Sequence, residues 1–128
     1  MPHAWIEYSK NIADEAEVQG FGRCVHDAMM ETGIFPLAGV RIRINRIDDC
    51  IVADGKPENA FVHLAIRIGE GRDMETKQAA ADLVFERIST HLKTLADRTP
   101  LAVAFEMQEI PGPFSYKMNN LHRHLAAK

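Results

Sequence analysis

The segment FVHLAIRI at residues 61–68 carries the clearest signal of the fold, because its apolar residues alternate with others and it runs directly into a turn and a helix. This period of two predicts a strand, whose apolar face holds Val62, Leu64, Ile66 and Ile68. The glycine turn GEGR follows at residues 69–72, and Asp73 is placed to cap a helix. The apolar stripe of that helix recurs at helical spacing, at Ala80, Leu83, Val84, Ile88, Leu92 and Leu95. Residues 101–109 (LAVAFEMQE) then predict a returning strand, which Pro111 ends.

The N-terminal half repeats this order of elements. Residues 3–8 (HAWIEY) alternate and predict a strand. Asn11 is placed to cap a helix of about five turns, with Asp14 three positions on, and the helix stops at Gly33. The apolar stripe of this helix is Val18, Phe21, Val25, Ala28 and Met29.

A second strand is predicted at residues 40–47 (VRIRINRI), and its alternation slips at residues 46–47, which indicates a bulge or the strand end. The longest connection follows at residues 48–59 and contains an Asp54-Gly55 turn. Residues 115–128 are expected to form a short helix.

The element order predicts an α+β fold with two βαβ units, one four-stranded sheet and both helices on one face. A ferredoxin-like fold gives nearly the same string of elements, so the pattern alone does not choose between them. In either case the other sheet face is bare. Apolar residues that include Trp5 and Phe61 fall on alternate strand positions, and we expect other subunits to cover them.

Composition limits the class of protein. The 128 residues fit one domain, 1–128, with a net charge of -3 and 46% hydrophobic residues. A mildly acidic chain without a basic block is a poor nucleic-acid binder, and no apolar run approaches the roughly 18 residues of a membrane span. The start lacks the pattern of a secretory signal. Cys24 and Cys50 form no disulfide framework, so we expect a reducing cytoplasm.

Pro2 is the most unusual candidate for chemistry. Removal of Met1 would leave a secondary amine at the start of a strand. A free α-amine has a pKa of about 7.7–8.0, and burial or nearby cations lower it further. Such an amine suits a general base, although many chains begin Met-Pro with no catalytic role.

Arginines supply the candidate anion-binding groups. Arg41 and Arg43 share one face of the second strand, and Arg72 lies in the glycine turn. A guanidinium binds a carboxylate through two parallel hydrogen bonds. The alternative interpretation is a solvated strand face, and GEGR fits an ordinary tight turn as well as an anion nest.

The histidines and cysteines favour no metal and no nucleophile. His122 and His124 have no third ligand at a useful spacing. His26 and His91 fall in helical patterns, and His63 on a strand is expected to be structural.

Several runs together resemble the 5-carboxymethyl-2-hydroxymuconate Δ-isomerase family of the tautomerase superfamily, whose members use an amino-terminal proline. They are MPH at residues 1–3, TGIFPLAGVR at 32–41, ADG at 53–55, AFVH at 60–63, IGEGR at 68–72, FEMQE at 105–109 and KMNN at 117–120. The similarity runs nearly end to end.

The resemblance implies a homotrimer with a sheet-lined interior, no cofactor and no metal. It implies conversion of the 2-hydroxymuconate dienol to its conjugated keto isomer, in the breakdown of homoprotocatechuate derived from 4-hydroxyphenylacetate. By the same similarity Pro2 is the acid/base and Arg41 and Arg72 bind carboxylate or carbonyl groups, with Arg43 as a further candidate. A small anionic carboxylate is therefore the expected substrate.

Two other functions stay open on the sequence. One is a related proline-based tautomerase, dehalogenase or hydratase; a water-adding enzyme would need a further carboxylate, for which Glu7 and Glu106 are candidates. The other is a catalytically silent trimeric binding module, which retention of Met1 would favour.

Overall fold

A computed structural model describes residues 1–126. Its sheet has four strands: β1 (His3–Ser9), β2 (Arg41–Ile47), β3 (Ala60–Gly69) and β4 (Leu101–Ile110). The spatial order is β2-β1-β3-β4, with β2 parallel to β1, β3 antiparallel to β1, and β4 parallel to β3. Each half is therefore a βαβ unit whose two strands pair directly, and the predicted α+β class is confirmed. In the split arrangement of a ferredoxin-like fold another strand would lie between them.

Within residues 1–126 the helices lie between the two strands of each half, except for a short one after β4. They are α1 (Ala16–Gln19), α2 (Phe21–Glu31), α3 (Met74–Arg98) and α4 (Leu121–Ala126). The Asp73 carboxylate accepts a hydrogen bond from the Thr76 amide at 2.7 Å, which confirms the predicted cap of α3. No helix within residues 1–126 combines the length and apolar character needed to cross a bilayer.

The core lies between the sheet and helices α2 and α3. In the register, Ala4 lies between Ile42 and Ile66, while Ile6 lies beside Leu64. These inward residues pack against buried positions of both helices: Phe21, Val25, Ala28, Met29, Val84, Ile88, Leu92 and Leu95. The apolar faces of the strands, which repeat every two residues, and of the helices, which repeat every 3.6 residues, thus form one apolar layer.

The first helix differs from the prediction. Residues Lys10–Ile12 form a 3-10 turn, and α1 and α2 are separate segments that meet at Gly20. Asn11 caps neither helix, because its side-chain amide donates to the carbonyls of Pro57 (2.9 Å) and Asn59 (2.8 Å). The expected cap of a continuous helix was wrong, since this side chain fastens the long connection instead.

The slip at residues 46–47 marks the strand end rather than a bulge, because pairing continues to Ser9 opposite Ile47. The Gly22 position in α2 also has a packing reason. A Cβ there would lie 2.5 Å from Ile44 Cδ1, so a larger residue would require the Ile44 side chain on this edge strand to move.

The sheet face away from the helices is mixed rather than apolar. Trp5 and Phe61 lie on it as expected, half-buried in the single chain. The same face carries many polar residues, including Arg41, Arg43, Glu7, Arg67, His63 and Glu106. His63 Nε2 lies 3.1 Å from Glu106 Oε1 across β3 and β4.

Candidate active site

Four separate parts of the chain meet at one end of the strands, which is here called the sheet edge. The parallel strands β1 and β2 both begin there, at His3 and Arg41. The strands β3 and β4 run the other way and both end there, at Gly69 and Ile110. The N-terminus, the turn that holds Arg72 and the segment after β4 are therefore neighbours.

Arg41 is fixed beside the N-terminus by its own backbone and side chain. Its amide donates to the Pro2 carbonyl at 3.1 Å. Its Nη1 donates to the carbonyls of Ala38 (2.9 Å) and Val40 (3.1 Å). These bonds use one guanidinium nitrogen, so the remaining N–H groups are available for a ligand.

Arg72 reaches the same edge from the turn between β3 and α3. Its Nη2 donates to the Ile34 carbonyl at 2.8 Å, and its Nη1 to the Gly69 carbonyl at 3.2 Å. The guanidinium carbon lies 5.3 Å from the centre of the Phe35 ring, a cation–π distance. The side chain is thus pre-positioned, which lowers the entropy cost of binding an anion.

The N-terminus is held in a tight backbone corner. Pro2 is buried, and Gly39 lies against it. A Cβ at Gly39 would come within 3.3 Å of Pro2 Cδ and 3.7 Å of Met1 Cα. The glycine therefore sets how closely residues 37–39 approach the proline ring.

Cations and partial burial act on the terminal amine. In the full chain this amine belongs to Met1 and the Pro2 nitrogen is an amide, so the Met1 amine stands in for the amine that processing would create one residue later. Its pKa is lowered from the ordinary value, first by burial and then by Lys117, Arg72 and Arg41. These surroundings therefore disfavour the charged form of the amine compared with an exposed terminus.

Arg43 is separated from the other two arginines. It pairs with Trp5, one row further into the sheet than Arg41, which pairs with His3. Its guanidinium carbon lies 4.6 Å from the Trp5 ring centre, and its Nη1 lies 3.2 Å from His3 Nδ1. Burial and then Arg43 lower the pKa of His3, so Arg43 acts on the mixed face of the sheet.

The segment after β4, residues 111–126 and here called the tail, contributes residues that the sequence reasoning did not select. A cavity of ≈ 290 Å³ at the N-terminus is lined by Met1, Pro36, Gly39, Lys117, Asn119 and His122. The Asn119 side-chain amide donates to the Ala38 carbonyl at 3.0 Å. The KMNN run at residues 117–120, which is part of the resemblance, is the sequence signal that points to this segment.

A larger cavity of ≈ 580 Å³ lies between α3 and β4, away from the N-terminus. Its lysine, Lys77, pairs with Glu109 at 3.2 Å. The carboxylate already neutralises this cation, so the larger cavity suits an anionic substrate poorly.

The remaining candidates lie outside this site. His91 Nε2 lies 2.8 Å from the Glu17 carbonyl, which gives it a structural contact between helices. Glu106 lies beside His63 and lines the larger cavity, and Glu7 lies two rows further into the sheet than His3. Within residues 1–126 no three His, Cys, Asp or Glu side chains group as metal ligands, and the expected absence of a metal stays a prediction.

Comparison with known proteins identifies relatives over almost the whole chain. Residues 2–125 match the family described as 5-carboxymethyl-2-hydroxymuconate isomerase. The chain is 41% identical over 122 residues to the 5-carboxymethyl-2-hydroxymuconate Delta-isomerase of Escherichia coli, which covers 95% of this chain and 97% of the relative.

Solved structures of other proteins share this fold. A 5-carboxymethyl-2-hydroxymuconate isomerase from Deinococcus radiodurans R1 superposes with a TM-score of 0.84 at 29% identity, covering 97% of this chain and 93% of the other. A fused 4-OT wild type symmetric trimer shares the fold at a TM-score of 0.63 and 19% identity, covering 84% of this chain and 86% of the other.

Proposed function

Because the chain belongs to the 5-carboxymethyl-2-hydroxymuconate isomerase family of the tautomerase superfamily and is an isomerase, we propose that it converts the dienol 5-carboxymethyl-2-hydroxymuconate to its conjugated keto isomer without a cofactor. The observation that carries this proposal is the grouping of the terminal amine with Arg41, Arg72 and Lys117 at one sheet edge. Within residues 1–126 these three cations have no carboxylate within 4.0 Å, so their charge is available to a polyanion.

Pro2 is the proposed acid and base, after removal of Met1. Its neutral amine takes the proton of the 2-hydroxyl group, and the electron pair moves through the diene to the carbon at its far end. The ammonium then returns a proton to that carbon. The product holds a carbonyl conjugated with the remaining double bond, and no atom or charge is gained or lost.

The arginines supply binding and charge stabilisation. Each holds its guanidinium on backbone carbonyls, with donors left for a carboxylate or for the oxygen that gains charge. Arg43 is a lesser candidate in this scheme, because it lies against Trp5 one row away. In metabolism the reaction would serve homoprotocatechuate and 4-hydroxyphenylacetate breakdown in the cytoplasm, which agrees with the unpaired Cys24 and Cys50.

A homotrimer is the proposed assembly. The bare sheet face carries Trp5 and Phe61 among its polar residues. The tail exposes large apolar side chains, with Phe114 at 85%, Tyr116 at 89% and Met118 at 99%. Such surface is typical of subunit contacts. Light scattering at micromolar concentration should give the trimer mass, and a monomer would contradict the assembly.

The decisive experiment compares chains that differ only at the terminus. One begins at Pro2, and the other retains a blocking residue before it. Ultraviolet absorbance of 5-carboxymethyl-2-hydroxymuconate should report isomerisation by the first and none by the second, because an amide nitrogen is not basic. Both must show the same mass and circular dichroism. Equal activity would remove Pro2 from the mechanism, and intact mass of the natural protein would show which form exists.

A further inference from the structure

The tail is tied to the site by contacts on both sides of Lys117. Before it, the Gly112 amide donates to Glu70 Oε1 at 3.0 Å, which joins the tail to the turn that carries Arg72. After it, Asn119 donates to the Ala38 carbonyl. These contacts hold residues 113–118 at the sheet edge where the N-terminus lies.

The second of these contacts is shared with the site. The Ala38 carbonyl accepts from Asn119 Nδ2 at 3.0 Å and from Arg41 Nη1 at 2.9 Å. The same short segment also contacts Pro2 through Gly39. The position of the tail is therefore coupled to that of Arg41 and of the proline.

Lys117 differs from other lysines of the chain in its charge environment. Lys56, Lys77 and Lys93 each have an aspartate or glutamate within 4.0 Å. Lys117, like Lys10, has none among residues 1–126, but of these two only Lys117 lines the cavity at the N-terminus. Among the charged groups that lower the pKa of the terminal amine, Lys117 has the largest effect. An unpaired cation beside this cavity is available to an anionic ligand.

We propose that Lys117 is a specificity-determining residue that binds the third carboxylate of the substrate, and that it makes the site prefer a tricarboxylate to a dicarboxylate. The inference rests on the proposed function. 5-Carboxymethyl-2-hydroxymuconate carries three carboxylates, and 2-hydroxymuconate has the same dienol with two. Arg41 and Arg72 provide two anchored forks, and Lys117 provides a third cation on the mobile stem of an exposed lysine.

The test measures kcat/KM for both compounds in a chain that begins at Pro2, before and after Lys117→Met. Loss of Lys117 also changes the basicity of the Pro2 amine, but that change affects both substrates alike. The ratio of the two kcat/KM values therefore isolates recognition of the extra carboxylate. We expect the preference for the tricarboxylate to fall about tenfold, mainly through KM, because a charge-assisted hydrogen bond is lost.

Two further variants complete the experiment. Lys117→Arg should keep most of the preference, since it keeps the cation. Lys93→Met removes an exposed lysine that pairs with Asp97 on α3, and it should leave both rates unchanged. If wild-type protein isomerises neither compound, the proposed function fails and this inference with it. If wild type is active and Lys117→Met slows both substrates by the same factor, only the inference is overturned.

Discussion

Replacement of Arg72 by alanine should affect both the proposed binding of substrate and the stability of the fold, and two separate measurements distinguish these effects. The guanidinium joins two loops, because it donates to Ile34 at 2.8 Å and to Gly69 at 3.2 Å and packs over Phe35. Truncation removes these contacts together with the charge. The fold should lose about 1–2 kcal/mol of its free energy of unfolding, a modest value because the side chain is only half-buried.

The effect on activity follows from the donors that remain. An arginine has five N–H donors, and the two carbonyl bonds leave enough for a two-pronged contact with a carboxylate. A charge-assisted hydrogen bond contributes about 1.5–3 kcal/mol, so kcat/KM should fall about tenfold to 150-fold. Arg72→Lys should recover only part of this loss, since a lysine cannot hold Ile34, Gly69 and a carboxylate in one plane.

The assay is the absorbance change of the dienol, with thermal unfolding measured in parallel to show that the variants are folded at the assay temperature. Arg41→Ala should lose activity to a similar degree. Arg43→Ala should lose less, because Arg43 lies against Trp5 and His3. Wild-type kinetics in both the Arg72 and the Arg41 variants would refute the assignment of substrate binding to these arginines.

Three other predictions test the site and the fold. Gly39→Ala should lower kcat roughly tenfold, because the new Cβ would come within 3.3 Å of Pro2 Cδ and displace the proline ring. Gly20→Ala, whose Cβ would make ordinary contacts of 3.5 Å, should leave kcat unchanged. Equal kinetics in the two variants would show that the close contact between Gly39 and Pro2 is unimportant. The kcat/KM of the processed enzyme should fall as pH drops through the pKa of the Pro2 amine. Burial and cations lower the pKa of the Met1 amine below the ordinary 8.0, and we expect the same surroundings to act on Pro2, so a midpoint at or above that value would contradict the reasoning. Glu17→Gln should destabilise the protein at neutral pH, because hydrogen bonds from Arg98 and Thr94 lower the pKa of Glu17 to about 2. This stabilisation is present above the unfolded pKa near 4.5 and is lost as pH falls to about 2. The difference in urea unfolding between the two proteins should therefore shrink in acid, and a difference that stays constant with pH would argue against this reasoning.

Local sequence patterns were sufficient to predict the four strands and the helix α3. Alternation in β3 and the cap at Asp73 depend on residues close together in sequence, and each has one favoured geometry. The first helix shows where this reasoning fails. Asn11 is a residue type that often caps helices, but its side chain instead donates hydrogen bonds to carbonyls 46 and 48 residues away.

Sequence alone was enough to predict the α+β class and, through motifs shared with a family, to propose Pro2, Arg41 and Arg72 as site residues. Only the tertiary structure decided that β1 pairs directly with β2, that Arg43 lies one row away from the site, and that Lys117 lies over the N-terminus. The physical reason is that strand order and the path of the tail are set by contacts between distant segments. A period of two fixes which face a side chain takes, but it carries no information about which strand lies beside it.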